Sequence, residues 1–128
     1  MRSALKCANQ SKRTRSLSRD WRLYWGDMEQ AVAKILRYAN GMDHIGFLAS
    51  DMTRDAVLRN LEVIGEAAKH IPANVRASHG ELDWKRIIGF RDIVAHAYFG
   101  IDDAILWNIV SVKVPELQAA MKASTAPD

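Results

Sequence analysis

The sequence predicts an all-α fold: an antiparallel bundle of four to five helices, the last of them kinked. Three observations lead there. Downstream of Asp20, apolar residues recur at three- and four-residue spacing, and no stretch of alternation is long enough to argue a strand. Start and stop residues cut that pattern into helix-length pieces. The length of 128 residues, 48% hydrophobic and 26% charged, suits one globular domain with a real core and is too short for two.

The first helix is expected from about Trp21 to Asn40. Asp20 is its N-cap, Trp21, Trp25, Met28, Val32, Ile35 and Ala39 form its stripe, and Asn40-Gly41 supplies a left-handed stop. A connecting segment from Met42 to Ser50 offers Phe47 and Leu48 to the core. The second long helix should span about Met52 to Ile71, with Val57, Leu58, Leu61, Ile64, Ala68 and Ile71 facing inward and Pro72 closing it. Gly65 inside it costs about 1 kcal/mol relative to Ala, which implies that something packs closely there. Residues 72–82 read as loop or short turn. Asp83 then caps a third helix, Trp84 to about Tyr98. Asp102 caps a fourth, carrying Ile105, Leu106, Ile109 and Val110, with a kink from Pro115 near Val112–Val114 and a last turn to about Lys122.

The net charge of +3 is unevenly placed. Residues 1–20 hold six basic side chains and one acid, whereas the remaining 108 hold 12 basic and 14 acidic ones. The division that follows is a basic, disordered extension over residues 1–18 and a helical domain over residues 19–124. The tail could screen nucleic-acid phosphates, and a DNA-binding reading would rest on it alone. The single Cys7 excludes an intramolecular disulfide framework and a cysteine-based zinc site. No window approaches the ~18 apolar residues of a membrane span, and the start lacks a signal peptide's apolar run, so no membrane association and a cytoplasmic location are expected.

The chemistry concentrates in Arg91-Asp92-Ile93-Val94-Ala95-His96-Ala97-Tyr98. At about 100° per residue, Phe90, Ile93, Val94 and Ala97 fall on one arc and face the core. Arg91, Asp92, His96 and Tyr98 occupy the opposite arc, with small alanines that leave room for a ligand. Asp92 and His96 are i, i+4 neighbours, close enough for the carboxylate to orient the ring. Trp84 and Ile88 extend this non-core face toward the N-terminus as an apolar surface, costly for a monomer, that suggests a second contact such as a dimer seam. His44, His70 and His79 are scattered without metal-ligand spacing, and no phosphate-cradling Gly-rich loop or Ser or Cys nucleophile with a neighbouring base occurs. No metal site and no cofactor are therefore expected. An imidazole beside a fixed cation suits phosphodiester cleavage in RNA: the ring moves a proton to or from the reacting oxygens, and the guanidinium stabilises the phosphorane-like charge. The internal nucleophile would be the 2′-hydroxyl, so DNA should resist.

These residues resemble a known family. Arg91-x4-His96-x-Tyr98 is similar to the R-x4-H-x-Y signature of HEPN-domain proteins. The segments Arg59-Asn60-Leu61-Glu62-Val63-Ile64-Gly65-Glu66-Ala67 and Asp83-Trp84-Lys85-Arg86-Ile87-Ile88-Gly89-Phe90-Arg91-Asp92 resemble the HepT-like ribonuclease toxins. The likeness covers roughly Arg19 to Lys122. It implies a HEPN-like helical fold, a homodimer whose motif helices meet across a cleft, and metal-independent cleavage of an RNA substrate. It further implies a minimal nucleotidyltransferase as antitoxin, which can adenylylate the motif tyrosine. Carried over, Arg91 and His96 are the catalytic pair, Asp92 is a supporting polar group, and Tyr98 is both supporting and the modification site. Adenylylation would set a bulky anion beside Arg91 and block RNA entry.

An alternative is a non-catalytic HEPN dimer that binds a nucleotidyltransferase partner or a nucleotide through the same polar face. Glu62 and Glu66, an i, i+4 pair, are read as a salt-bridged face with Arg59, Lys69 and His70 that could still border the cleft. Trp21, Trp25, Trp84 and Trp107 are read as packing residues.

Overall fold

The computed structural model describes residues 20–99 and 103–124. Residues 1–18, with their basic character, and Asp102, the expected cap, lie outside them. The described chain folds as α1 (Trp21–Tyr38), α2 (His44–Ala49), α3 (Asp51–Lys69), α4 (Ala73–Ser78), α5 (Trp84–Ile88), α6 (Phe90–Tyr98), α7 (Asp103–Asn108), a π-helical turn (Ile109–Lys113) and α8 (Val114–Ala123). No strand occurs among the described residues, and the all-α expectation holds.

α1 and α3 form the principal pair; α6 and α5 pack on α3, and α8 returns against α1. Asp20 caps α1 by accepting from the Arg22 amide at 2.9 Å, and Gly41 takes the left-handed backbone (φ 77°) just past its end. Ser50 caps α3 through the Thr53 amide, so the helix starts at Asp51, one residue before the expected Met52, and ends at Lys69, two before the expected Ile71. The predicted stripe Val57, Leu58, Leu61, Ile64 and Ala68 is buried on α3, and Ile71 is buried just beyond its end. Asn60, a buried polar residue on the same helix, donates its Nδ2 to the Ala56 carbonyl at 2.8 Å and so stays satisfied. Trp25 is buried, and Trp21, Trp84 and Trp107 pack half-buried on the core, so the tryptophans are packing residues as expected.

Four local features depart from the sequence expectation. The connecting segment contains α2, a six-residue helix capped by Asp43 that turns Phe47 into the core. The loop after Pro72 contains α4, also six residues. Helices this short hold under two turns, too little for periodicity to register.

The third helix is two. It breaks at Gly89, where a Cβ would stand 3.2 Å from the Lys85 carbonyl and 3.3 Å from that of Arg86. The backbone there stays right-handed (φ −67°, ψ −8°) but is wound more tightly than the flanking helices, and a Cβ at Gly89 would crowd both carbonyls. Trp84 and Ile88 therefore do not extend the polar face of α6. Both are half-buried against the core, and the Trp84 indole donates to the His79 carbonyl at 3.0 Å. The dimer seam argued from those two residues loses its basis.

The expected C-terminal kink takes the form of the π turn. Pro115 has no amide to bond the carbonyl four residues back, and its ring crowds that carbonyl. The wider π turn just upstream accommodates both before α8 resumes. Leu106, Ile109 and Val110 are buried as expected, whereas Ile105 stands 45% exposed.

Candidate active site

α6 is nine residues long and lies antiparallel to α3, which holds it at both ends. At its C-terminal end Arg54 donates to the Ala97 carbonyl at 3.0 Å and to Asp103 at 2.7 Å. One side chain thus ties α3 to the last turn of α6 and to the start of α7. At its N-terminal end the tie is steric: the backbone of α3 at Gly65 approaches so closely that a Cβ there would meet Arg91 Cγ at 3.0 Å and the Ile88 carbonyl at 3.2 Å. The close packing expected at Gly65 is present, and its partner is the α5–α6 junction.

Held this way, α6 turns Phe90, Val94 and Ala97 into the core, with Ile93 half-buried. Arg91, Asp92, Ala95, His96 and Tyr98 are exposed. The two arcs read from the sequence are the two faces found. Ala95 and Asp92 lie between Arg91 and His96 around the helix, so a small side chain and a carboxylate floor the space between cation and imidazole.

One expected contact is not made. Among the described residues, no hydrogen bond or ion pair joins Asp92 to His96. Both side chains extend into solvent, where an exposed i, i+4 pair gains too little to hold two rotamers together.

Arg91 is instead anchored from α3. Its guanidinium lies 3.1 Å from Glu66 Oε1, and the other carboxylate oxygen lies 3.1 Å from His70 Nε2. The His70 ring in turn stacks on Tyr24 of α1, with centroids 4.9 Å apart and planes at 19°. The His70 hydrogen bond, with the charges of Arg91 and Lys69, holds the Glu66 carboxyl below its ordinary value of 4.5. The Glu66–His70 contact is the one suggested by their spacing. The Glu66–Arg91 pair depends on how two helices meet, and only the cost of a glycine at position 65 hinted at it.

A cavity of about 490 Å³ opens on this side of α3, lined by Tyr24, Asp27, Arg59, Glu62, Glu66 and His70 among others. Glu66 lines this cavity and also pairs with Arg91, whereas Glu62 borders the cavity alone, and Arg91, Asp92, His96 and Tyr98 do not line it. Among the described residues no three His, Cys, Asp or Glu side chains converge as a metal-binding group, and no helix is long and apolar enough to cross a membrane.

Comparison with known proteins gives the family of the chain. The family model described as "Ribonuclease HepT-like" matches residues 28–124, which contain every residue of the site just described except Tyr24 and Asp27 at its α1 wall. A "Probable ribonuclease HepT" of Thermococcus cleftensis is 35% identical over 102 residues, covering 80% of this chain and 93% of that protein. A protein of Methanocaldococcus jannaschii described as a candidate RNase is 35% identical over 100 residues, covering 78% and 92%. Another from that organism, described in the same way, reaches 38% over 97 residues, covering 76% and 80%. No solved structure matches the chain significantly. On this likeness, which spans most of both partners, the chain belongs to the HepT-like family of ribonucleases.

Proposed function

We propose that this chain is a metal-independent endoribonuclease, the toxin of a toxin–antitoxin pair, in which Arg91 and His96 carry out the cleavage. The observation that carries the reading is the exposure of both groups on one short, doubly anchored helix, with Arg91 fixed from behind by Glu66. The imidazole of His96 accepts the proton of an RNA 2′-hydroxyl or delivers one to the departing 5′-oxygen. The 2′-oxygen attacks the adjacent phosphorus, the P–O5′ bond breaks, and a 2′,3′-cyclic phosphate remains. Arg91 stabilises the charge that accumulates on the non-bridging oxygens. Asp92 supports the site from the turn between them.

Residues 19–124 form the working domain in this reading, and residues 1–18 are an extension to it. A homodimer completes the site: Tyr98 is 59% exposed and Phe99 is 81% exposed, adjoining His96 with the kind of apolar surface a second copy covers. The antitoxin is a minimal nucleotidyltransferase that silences the enzyme by adenylylating Tyr98, a residue left exposed at the end of α6. RNA in the cytoplasm is the substrate.

The test is cleavage of a labelled RNA in excess EDTA. The reading requires cutting, cyclic-phosphate ends, and resistance of the same oligonucleotide made with 2′-deoxyribose. Activity that vanishes with chelator would overturn it. For the silencing step, the protein is incubated with ATP, magnesium and the transferase encoded beside it. AMP mass should appear on the Tyr98 peptide and be absent from Tyr98→Phe.

A further inference from the structure

We infer that Glu66 is a positioning residue for cleavage, holding the Arg91 guanidinium in one orientation so that its remaining donors are aimed at the phosphate. The inference rests on Arg91 being the catalytic cation. It adds a residue from another helix to the motif carried on α6.

Three observations support it. Arg91 and Glu66 are both about half-exposed, 46% and 47%, so their 3.1 Å pair alone would hold the long arginine stem only weakly; it restricts Arg91 as the end of a network that continues behind Glu66. The carboxylate is itself fixed from its other oxygen, by His70 at 3.1 Å, and His70 is held against Tyr24. Tyr24, His70, Glu66 and Arg91 thus run as one supported line from α1 across α3 to α6. Finally, the helices approach closely beside the contact: a Cβ on residue 65 would crowd Arg91 Cγ at 3.0 Å and the Ile88 carbonyl at 3.2 Å, and the next residue, Glu66, stands 3.1 Å from the guanidinium as an ion pair. Glu66 Oε1 pairs with one guanidinium nitrogen, Nη1, and the donors on the other nitrogens remain available to a substrate. The carboxyl, held below its ordinary value by His70, Arg91 and Lys69, is ionised at neutral pH.

A positioning carboxylate beside a phosphate site has a distinctive kinetic signature. It repels RNA slightly yet speeds its cleavage, so removing its charge should lower kcat without raising KM. A residue that merely supports the fold would lower stability and the active fraction instead. A carboxylate that only competes with RNA for Arg91 would raise kcat on removal.

The experiment measures kcat and KM on one RNA oligonucleotide, with thermal melts, for wild type, Glu66→Gln, Arg91→Ala and the double variant. The expected result for Glu66→Gln is a kcat lower by roughly tenfold, the scale of a misplaced catalytic group, with KM equal or lower and a melt close to wild type. In the Arg91→Ala background Glu66→Gln should cause no further loss. A kcat unchanged or raised in Glu66→Gln, or a loss that persists in full without Arg91, overturns the inference. An inactive Arg91→Ala beside a full-rate Glu66→Gln overturns it alone. Arg91→Ala at the wild-type rate overturns the catalytic reading as well.

Discussion

Gly65 and Arg91 are in direct contact across two helices: a Cβ on residue 65 would lie 3.0 Å from Arg91 Cγ and 3.4 Å from the Arg91 amide nitrogen, with the Ile88 carbonyl at 3.2 Å. The side-chain atom could yield, but the carbonyl belongs to the backbone of the α5–α6 junction. Gly65→Ala therefore has opposing effects. Helix propensity gains about 1 kcal/mol, while overpacking costs about 1–3 kcal/mol. The crowding should win, giving a net loss near 1 kcal/mol in a urea melt and a larger proportional fall in cleavage, because the displaced residue is Arg91. A variant more stable than wild type would show that the junction has slack.

Arg54 secures the other end of α6. Its side chain is only 19% exposed and bonds both the Ala97 carbonyl and Asp103. Arg54→Ala should cost about 1–3 kcal/mol, the lower part of that range applying to the Asp103 contact, whose carboxylate is 44% exposed. Lys offers a single point of charge where Arg reaches two acceptors, so Arg54→Lys should recover only part of the loss. Denaturant titration of the three proteins decides it; a stability of Arg54→Ala equal to wild type would remove Arg54 as an anchor.

The lowered pKa of Glu66 fixes the sign of a pH effect. A carboxyl whose folded value lies below its unfolded value stabilises the fold above the unfolded value and loses that contribution as pH falls through the folded one. The Tm difference between wild type and Glu66→Gln should therefore be small and constant from neutral pH down to about 4.5 and close below it. Over the neutral range Glu66 stays ionised, so no limb of the rate profile there comes from Glu66 itself, and any limb of the wild type should persist in Glu66→Gln. A limb that moves would mean that Glu66 shifts the titration of a reacting group.

Much of this molecule is written in its local spacing. The stripes of α1 and α3, the caps Asp20 and Asp83, and the stop at Gly41 depend on residues within a turn or two of each other, and all stand as read. The exposure of Arg91, Asp92, His96 and Tyr98 follows from the same periodicity, because burying Phe90, Val94 and Ala97 leaves them no other direction. The break at Gly89 is a backbone event that apolar spacing does not record, and missing it misplaced Trp84 and Ile88. The Glu66–Arg91 pair spans 25 positions and exists because α3 and α6 meet at Gly65; helical spacing could give Glu66 only its neighbours Lys69 and His70. The Asp92–His96 pair failed for the opposite reason: the spacing permits it, but solvent offers both groups as much.

The account stands or falls on Arg91 and His96 acting in RNA cleavage from an exposed face that contributes little to the fold. The most direct measurement is the rate of cutting of one RNA by Arg91→Ala and by His96→Ala in EDTA, each beside its thermal melt. The account predicts a fall of at least about a hundredfold for each, as expected when a proton-transfer or charge-stabilising group is removed, with melts within a few degrees of wild type. Either variant cutting at the wild-type rate while folded would contradict it.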